Sequence, residues 1–265
     1  MLKKIIIGNW KMNPADSKNA LKIFGDIKKG SKKFPNITTV IAPPAIFIPQ
    51  LKSSITQTCL LGAQDAHFDD TGAYTGAISA KMLKNFNVSY CIVGHSEVRA
   101  RGDNDEIVNK KVLSILKNGM SPILCVGEKT RTDDHWHFHI VKEQIEKAFV
   151  GISKNFLKKI VIAYEPVWAI GQNAIREATP EECREMIIFI RRVLADMYTA
   201  KDAQTISILY GGSVSVENCL IFLKDGNIDG FLVGRESLNP KHFLKIIETA
   251  NIVSSISVKE IKIKK

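Results

Sequence analysis

Eight short apolar runs, each followed by a longer segment of helical period, constrain this chain more than any other feature. The runs are Lys4-Ile5-Ile6-Ile7, Thr38-Thr39-Val40-Ile41, Cys59-Leu60-Leu61, Tyr90-Cys91-Ile92-Val93, Ile123-Leu124-Cys125-Val126, Ile160-Val161-Ile162-Ala163, Ile206-Ser207-Ile208-Leu209 and Gly230-Phe231-Leu232-Val233. A strand with one wet face alternates apolar and polar residues. These barely alternate, so both faces are buried, as in a parallel sheet covered by helices. The segment after Ala178 shows the intervening pattern best. Thr179, Pro180 and Glu182 form a capping box with proline in the first turn, and Cys183, Met186, Ile187, Ile190, Val193, Leu194 and Met197 then make one apolar stripe. Eight such units predict an α/β chain folded as a closed (β/α)8 barrel in a single domain, in preference to an open doubly wound sheet. No G-x-G-x-x-G turn follows the first run, which counts further against a dinucleotide-binding fold.

The 265 residues suffice for one large core. Residues 1–250 are assigned to the barrel and 251–265 to a basic C-terminal tail, whose ending is expected to fray. No stretch approaches the roughly 20 apolar residues of a membrane helix, and the apolar run at the start is too short for a signal peptide, so a soluble, unsecreted protein with no membrane partner is expected. The five cysteines are odd in number, far apart and without a C-x-x-C pair, which fits a reducing cytoplasm and indicates neither disulfides nor a zinc site. Formal charge is +10, and +7 remains on residues 1–250 when the tail's four lysines and one glutamate are set aside. The lysines are scattered, with no recognition motif or stacking platform beside them. They read as solvated surface with a modest pull on an anionic substrate, not as a nucleic-acid site. His135-Trp136-His137-Phe138-His139 invites a metal reading. Two ligands four apart, with no third nearby and no strand end, do not make a site, so no metal or other cofactor is expected.

In a parallel barrel the active site forms where the strands end, so the polar residues at the end of each run matter most. Run one ends in Gly8-Asn9-Trp10-Lys11, run three in Gln64-Asp65, run four in Gly94-His95-Ser96-Glu97, run five in Gly127-Glu128 and run six in Tyr164-Glu165-Pro166. Runs seven and eight end in Gly211-Gly212-Ser213 and Gly234, where barrels build phosphate sites from main-chain amides. Each feature has a plainer reading: Lys11 a solvated loop lysine, His95 a histidine satisfied by backbone, Glu165 one half of a surface ion pair, the glycines simple tight turns. Their joint placement at one mouth favours a site that gathers a cation, an imidazole and a carboxylate around an anion.

Gly8-Asn9-Trp10-Lys11-Met12-Asn13, Val93-Gly94-His95-Ser96-Glu97, Ala163-Tyr164-Glu165-Pro166-Val167-Trp168-Ala169-Ile170-Gly171 and Tyr210-Gly211-Gly212-Ser213-Val214 resemble, in order, the signatures of the triosephosphate isomerase family. The likeness runs from residue 3 to about residue 250. It implies a TIM barrel that interconverts dihydroxyacetone phosphate and glyceraldehyde 3-phosphate through an enediolate, in glycolysis and gluconeogenesis. It further implies catalytic Asn9, Lys11, His95 and Glu165, with Glu165 as the base, His95 polarising the carbonyl and Lys11 supplying fixed charge. Gly171, Ser213, Gly234 and the neighbouring Arg235 fall on the substrate-binding positions. The resemblance also implies a lid from Pro166 to about Ala178, closing to exclude water, and a homodimer through the loop Asp65 to Ser79 around Thr75.

The sequence departs from the family pattern at several points. Val98 stands where an arginine is usual, and the next stretch is about one residue short, so a supporting salt bridge is expected to be lost. The lid's far hinge, Gln172 to Ala178, is about two residues longer than usual, and Arg235 replaces the second glycine of the phosphate turn. These changes keep open a paralogue that isomerises a four-carbon ketose phosphate such as an erythrulose phosphate. A non-catalytic binding barrel is the remaining alternative, and the intact Lys11, His95 and Glu165 argue against it.

Overall fold

The computed structural model describes residues 2–131, 134–171, 174 and 176–263. Its strands are β1 (Ile5–Asn9), β2 (Thr38–Ala42), β3 (Cys59–Ala63), β4 (Tyr90–Val93), β5 (Ser121–Val126), β6 (Val161–Tyr164), β7 (Ser207–Tyr210) and β8 (Gly230–Val233). They pair in chain order, all parallel, and β8 closes on β1 with Ile5 opposite Gly230. Every apolar run is a strand. Ile160 and Ile206, read from sequence as first strand residues, instead close the preceding turns by donating N–H to the Leu157 and Ala203 carbonyls. The ladders of β6 and β7 therefore begin one residue later.

Closure puts alternate residues on a common axis, because side chains along a strand have a period of two. Ile5, Ile7, Val40, Ala42, Ile92, Ile123, Cys125, Val161, Ala163, Leu209 and Leu232 pack into one cluster that fills the barrel. Their neighbours, including Ile6, Ile41, Leu61, Leu124, Ile162, Ile208 and Phe231, join a larger cluster beneath the helices. Two-sided burial is the physical reason the runs are unbroken. All five cysteines are free and buried, as small apolar side chains would be.

The helix Pro180–Met197 starts where the capping box predicts. The Thr179 hydroxyl accepts from the Glu182 N–H at 3.2 Å, and Glu182 Oε2 accepts from the Thr179 N–H at 2.8 Å. Cys183, Met186, Ile187, Ile190, Val193 and Leu194 are buried along its inner stripe. The last helix, Pro240–Ile263, runs across residue 250, so residues 251–263 extend it, and Val253 packs against the core. Lys264 and Lys265 lie outside the described residues. Among the described residues no helix is long and apolar enough to cross a membrane.

Glu182 also pairs with Arg176 at 2.6 Å, and that hydrogen bond is the chief cause of a carboxyl pKa drawn from 4.5 to about 2. A carboxyl depressed in the folded state contributes stability above its unfolded pKa, which is lost as pH falls through the folded one. Unfolding free energy should therefore drop between pH 4.5 and about 2, and Glu182→Gln should flatten that limb in denaturant titrations. Thr179→Ala should cost about 1 kcal/mol at neutral pH through loss of the cap.

Candidate active site

The inward period continues past the apolar interior. Two residues beyond Ile7 comes Asn9, beyond Cys125 Gly127, beyond Ala163 Glu165, beyond Leu209 Gly211, and beyond Leu232 Gly234. The layer above the core is thus polar or lacks side chains, and a cavity of about 810 Å³ opens at the C-terminal ends of the strands. Asn9, Lys11, His95, Glu165, Gly171, Ser213, Gly234 and Arg235 all line it. Two of the glycines are dictated by Glu165. A Cβ at Gly127 would lie 1.8 Å from the Glu165 carbonyl oxygen, and one at Gly211 would lie 2.9 Å from Glu165 Cγ.

Glu165 is 3% exposed; its Oε2 accepts from the Ser96 N–H at 3.2 Å, and its Oε1 lies 3.2 Å from His95 Nε2. The ring's other nitrogen, Nδ1, accepts from the Glu97 N–H at 3.1 Å. An accepting Nδ1 carries no proton, so His95 is held as the neutral tautomer with its proton on Nε2, facing the carboxylate. The parity of β4 alone would not aim His95 inward. Gly94 takes a φ of +67°, which re-aims the chain there, and His95 then caps the helix Ser96–Arg99.

Lys11 also has a left-handed backbone, at φ 51°. A non-glycine residue there is strained by about 1–3 kcal/mol unless its surroundings fix it. They do: Asn9 Oδ1 accepts the Lys11 N–H at 3.0 Å, and Gln64 Nε2 donates to the Lys11 carbonyl at 2.8 Å. Its ammonium pairs with Glu97 Oε1 at 2.5 Å. Burial works against ionisation of Glu97, yet the hydrogen bond and charge of Lys11 hold its carboxyl below the ordinary range.

The segment from Pro166 enters a short 3-10 turn, Val167–Ala169, whose Trp168 is buried. Ser213 Oγ donates to the Ala169 carbonyl at 2.9 Å, so its hydroxyl is spent on tying the β7 turn to this segment. Gln172, Asn173 and Ile175 of the long far hinge lie outside the described residues. Arg176 covers the Trp168 ring at 4.6 Å and pairs with Glu182.

Sequence reasoning placed Glu128 at the mouth but gave it no role. Its parity is outward, since Gly127 takes the inward position. It is fully buried, and its Oε1 accepts from Tyr164 Oη at 2.9 Å and Trp168 Nε1 at 2.7 Å. Burial pushes its carboxyl up. The signal available was an acidic residue on an outward, buried position, which requires partners. Tyr210 was likewise passed over; its buried hydroxyl has no partner among the described residues. The salt bridge expected to be lost at Val98 is offset nearby: Arg99 donates to the Gly94 carbonyl at 2.8 Å and Asp105 at 2.6 Å, and the buried Lys111 bridges Asp65 at 2.8 Å and Asp103 at 2.6 Å. In the histidine tract, His135 and His139 are exposed, and His135 precedes the helix in a left-handed conformation, so the two do not lie on one helix face.

Residues 4–250 match the profile of the triosephosphate isomerase family. The chain belongs to this family. It is 40% identical to the triosephosphate isomerase of Alkaliphilus oremlandii over 250 residues, 93% of this chain and 99% of that protein. The corresponding protein of Thermoanaerobacter pseudethanolicus is 41% identical over the same shares, and that of Caldanaerobacter subterraneus 40%. The chain is accordingly an isomerase of the triosephosphate isomerase family, with the closed barrel expected of it.

Because the Gly127 hydrogen atoms face the Glu165 backbone, Gly127→Ala should destabilise the fold by about 1–3 kcal/mol through overpacking. Denaturant unfolding checks this, with Gly25→Ala, where a Cβ would meet nothing within 4 Å, as the tolerated control.

Proposed function

We propose that the protein interconverts dihydroxyacetone phosphate and glyceraldehyde 3-phosphate, with Asn9, Lys11, His95 and Glu165 doing the chemistry and Gly171, Ser213, Gly234 and Arg235 holding the substrate. The observation that carries the reading is the pair made by the Glu165 carboxylate and the Nε2–H of a neutral His95, 3.2 Å apart on one cavity wall. A glutamate base beside a neutral imidazole is the pairing for which this family is the standard example, and membership of the family supports those roles here.

The arrangement suits the reaction. An α-hydroxycarbonyl lying along the pair presents a C–H to Glu165 and its two oxygens to His95. Glu165 takes the proton, the His95 N–H hydrogen-bonds the oxygen on which charge gathers, and the fixed ammonium of Lys11 lowers the energy of the enediolate. His95 passes the hydroxyl proton from one oxygen of the enediolate to the other, and return of the proton from Glu165 to the neighbouring carbon completes the isomerisation. The turns at Gly211-Gly212 and Gly234 leave main chain open to a phosphoryl group, and closure of the lid over it would remove water. No cofactor is needed for proton transfer between adjacent carbons.

Relatives named triosephosphate isomerase that match over 99% of their length favour the three-carbon substrate over an erythrulose phosphate. A homodimer is part of the proposal. The loop from Asp65 to Ser79 is braced from within by the His67 N–H on the Ile78 carbonyl, Tyr74 Oη on Asp69 at 2.6 Å and the His67 ring against Tyr74, which leaves Thr75 exposed at its tip. Met12 and Ile46 stand 93% and 75% exposed, and Tyr74, Ile78, Met82 and Phe86 are exposed too, apolar area that a second subunit would cover. Five unpaired buried thiols suit a cytoplasmic location, and the reaction places the protein in glycolysis and gluconeogenesis.

With purified protein, kcat/KM for glyceraldehyde 3-phosphate should far exceed that for erythrulose phosphates; the reverse order would overturn the assignment. Glu165→Asp, which retracts the carboxylate by about 1 Å, should lower kcat on the order of 100-fold with little change in KM. Sedimentation should give twice the chain mass, and Thr75→Arg should shift it toward the single chain.

A further inference from the structure

Because the strands are parallel and close into one barrel, every stretch that leads into a strand lies at the end opposite the mouth. Those stretches (residues 2–4, 32–37, 52–58, 84–89, 117–120, 149–160, 198–206 and 224–229) hold twelve lysines, no arginine, no glutamate and three aspartates, and each holds at least one lysine. The stretches that leave the strands for the mouth (residues 10–16, 43–47, 64–79, 94–104, 127–135, 165–179, 211–218 and 234–239) hold thirteen acidic residues against seven basic ones. One end therefore carries +9 and the other −6, although the lysines look scattered along the chain. The positive excess does not surround the mouth, so capture of an anionic substrate is not what it serves. Helix dipoles favour cations at helix C-termini, but Lys3 and Lys4 follow no helix, and Lys154, Lys158 and Lys159 crowd a single stretch. Lys117 pairs with Asp70 and Lys154 with Asp202, whereas Lys3, Lys32, Lys33, Lys158, Lys159 and Lys224 are exposed and form no ion pair among the described residues. The last helix runs to the same end and continues past residue 250, where the family match stops, with Ile252 and Ile256 each 49% exposed. Val150, 62% exposed, stands at this end too.

We propose that this lysine-ringed end of the barrel docks on an anionic lipid bilayer, with the mouth turned toward solvent. The expectation of no membrane partner rested on the lack of a spanning segment, and adsorption to a surface needs none. A flat bilayer meets cations that precede all eight strands together, whereas a rod-like duplex would meet only those along one chord of the ring. The residue type points the same way. Arginine, the fork that recognises individual phosphates, is missing from these stretches, and lysines act as point charges on flexible stems, suited to a dense layer of mobile headgroups. Val150, Ile252 and Ile256 add exposed apolar side chains that can enter the boundary between headgroups and acyl chains. The negative end orients the protein in the same field, so a docked molecule keeps its site open. The loop from Asp65 to Ser79, the proposed subunit contact, issues from the mouth end, away from this face.

The test is co-sedimentation of the full chain with vesicles of phosphatidylcholine mixed with phosphatidylserine, and with vesicles of phosphatidylcholine alone, at low and at physiological salt. The parent should bind the anionic vesicles, leave them as salt screens the lysines, and ignore the neutral ones. Lys158→Glu combined with Lys159→Glu should weaken binding to the anionic vesicles by at least about tenfold. Lys32→Gln with Lys33→Gln, a milder change across the ring ahead of β2, should weaken it too, by less. Lys18→Glu with Lys22→Glu makes the same change in net charge at exposed positions in the first turns of the helix Ser17–Ser31, nearer the mouth, and should leave binding within about twofold of the parent. Circular dichroism checks that each variant folds. The proposal is overturned if the parent does not bind anionic vesicles at low salt, or if the Lys18 and Lys22 pair loses as much as the Lys158 and Lys159 pair. It is equally overturned if neither pair on the ring matters, or if the parent binds a mixed-sequence DNA duplex more tightly than the anionic vesicles at the same salt.

Discussion

The two-residue period of strands closed into a ring governs the whole mouth of this protein. Once β8 pairs with β1, each strand must send every second side chain toward one axis, and no side chain on that axis can escape its neighbours. Bulky residues fill the lower layers and give the core its stability. The next layer holds Asn9, Glu165 and three glycines, so the same geometry that packs the interior leaves a hollow above it. Fold and cavity are two readings of a single alternation.

Within that hollow, position is set by backbone groups more than by side-chain partners. The Glu97 N–H fixes the tautomer of His95, and the Ser96 N–H holds one oxygen of Glu165. Both amides belong to one short helical turn that begins as soon as Gly94 has bent the chain. The left-handed backbone of Lys11 is likewise over-determined, by Asn9 on one side and Gln64 on the other. Strain of this kind persists only where the surroundings compensate for it, and here it points an ammonium at the cavity.

The segment that follows Glu165 is tied to the frame at both of its described ends. Trp168 donates to the buried Glu128, Ala169 accepts from Ser213, and Arg176 joins the Trp168 ring to Glu182 at the start of the next helix. A single carboxylate, Glu182, thereby serves a helix cap and the anchor of this segment at once. Loss of the Glu182 charge would therefore weaken the cap and this anchor together.

The strands, their order and the polar residues at their ends were legible in the sequence, because burial on both faces and helix capping are local patterns that the chain writes residue by residue. Parity could even have separated inward Glu165 from outward Glu128. What the sequence left open depends on contacts between strands that are distant along the chain. Only the closed barrel shows that Gly127 and Gly211 are there to clear space for Glu165, and that Lys11 has a counter-ion in Glu97. By itself the sequence determined which residues are buried and where each strand stops; the tertiary structure decided which polar groups meet. Burial is a property of one segment against solvent, whereas a hydrogen bond or ion pair requires two segments brought together in three dimensions.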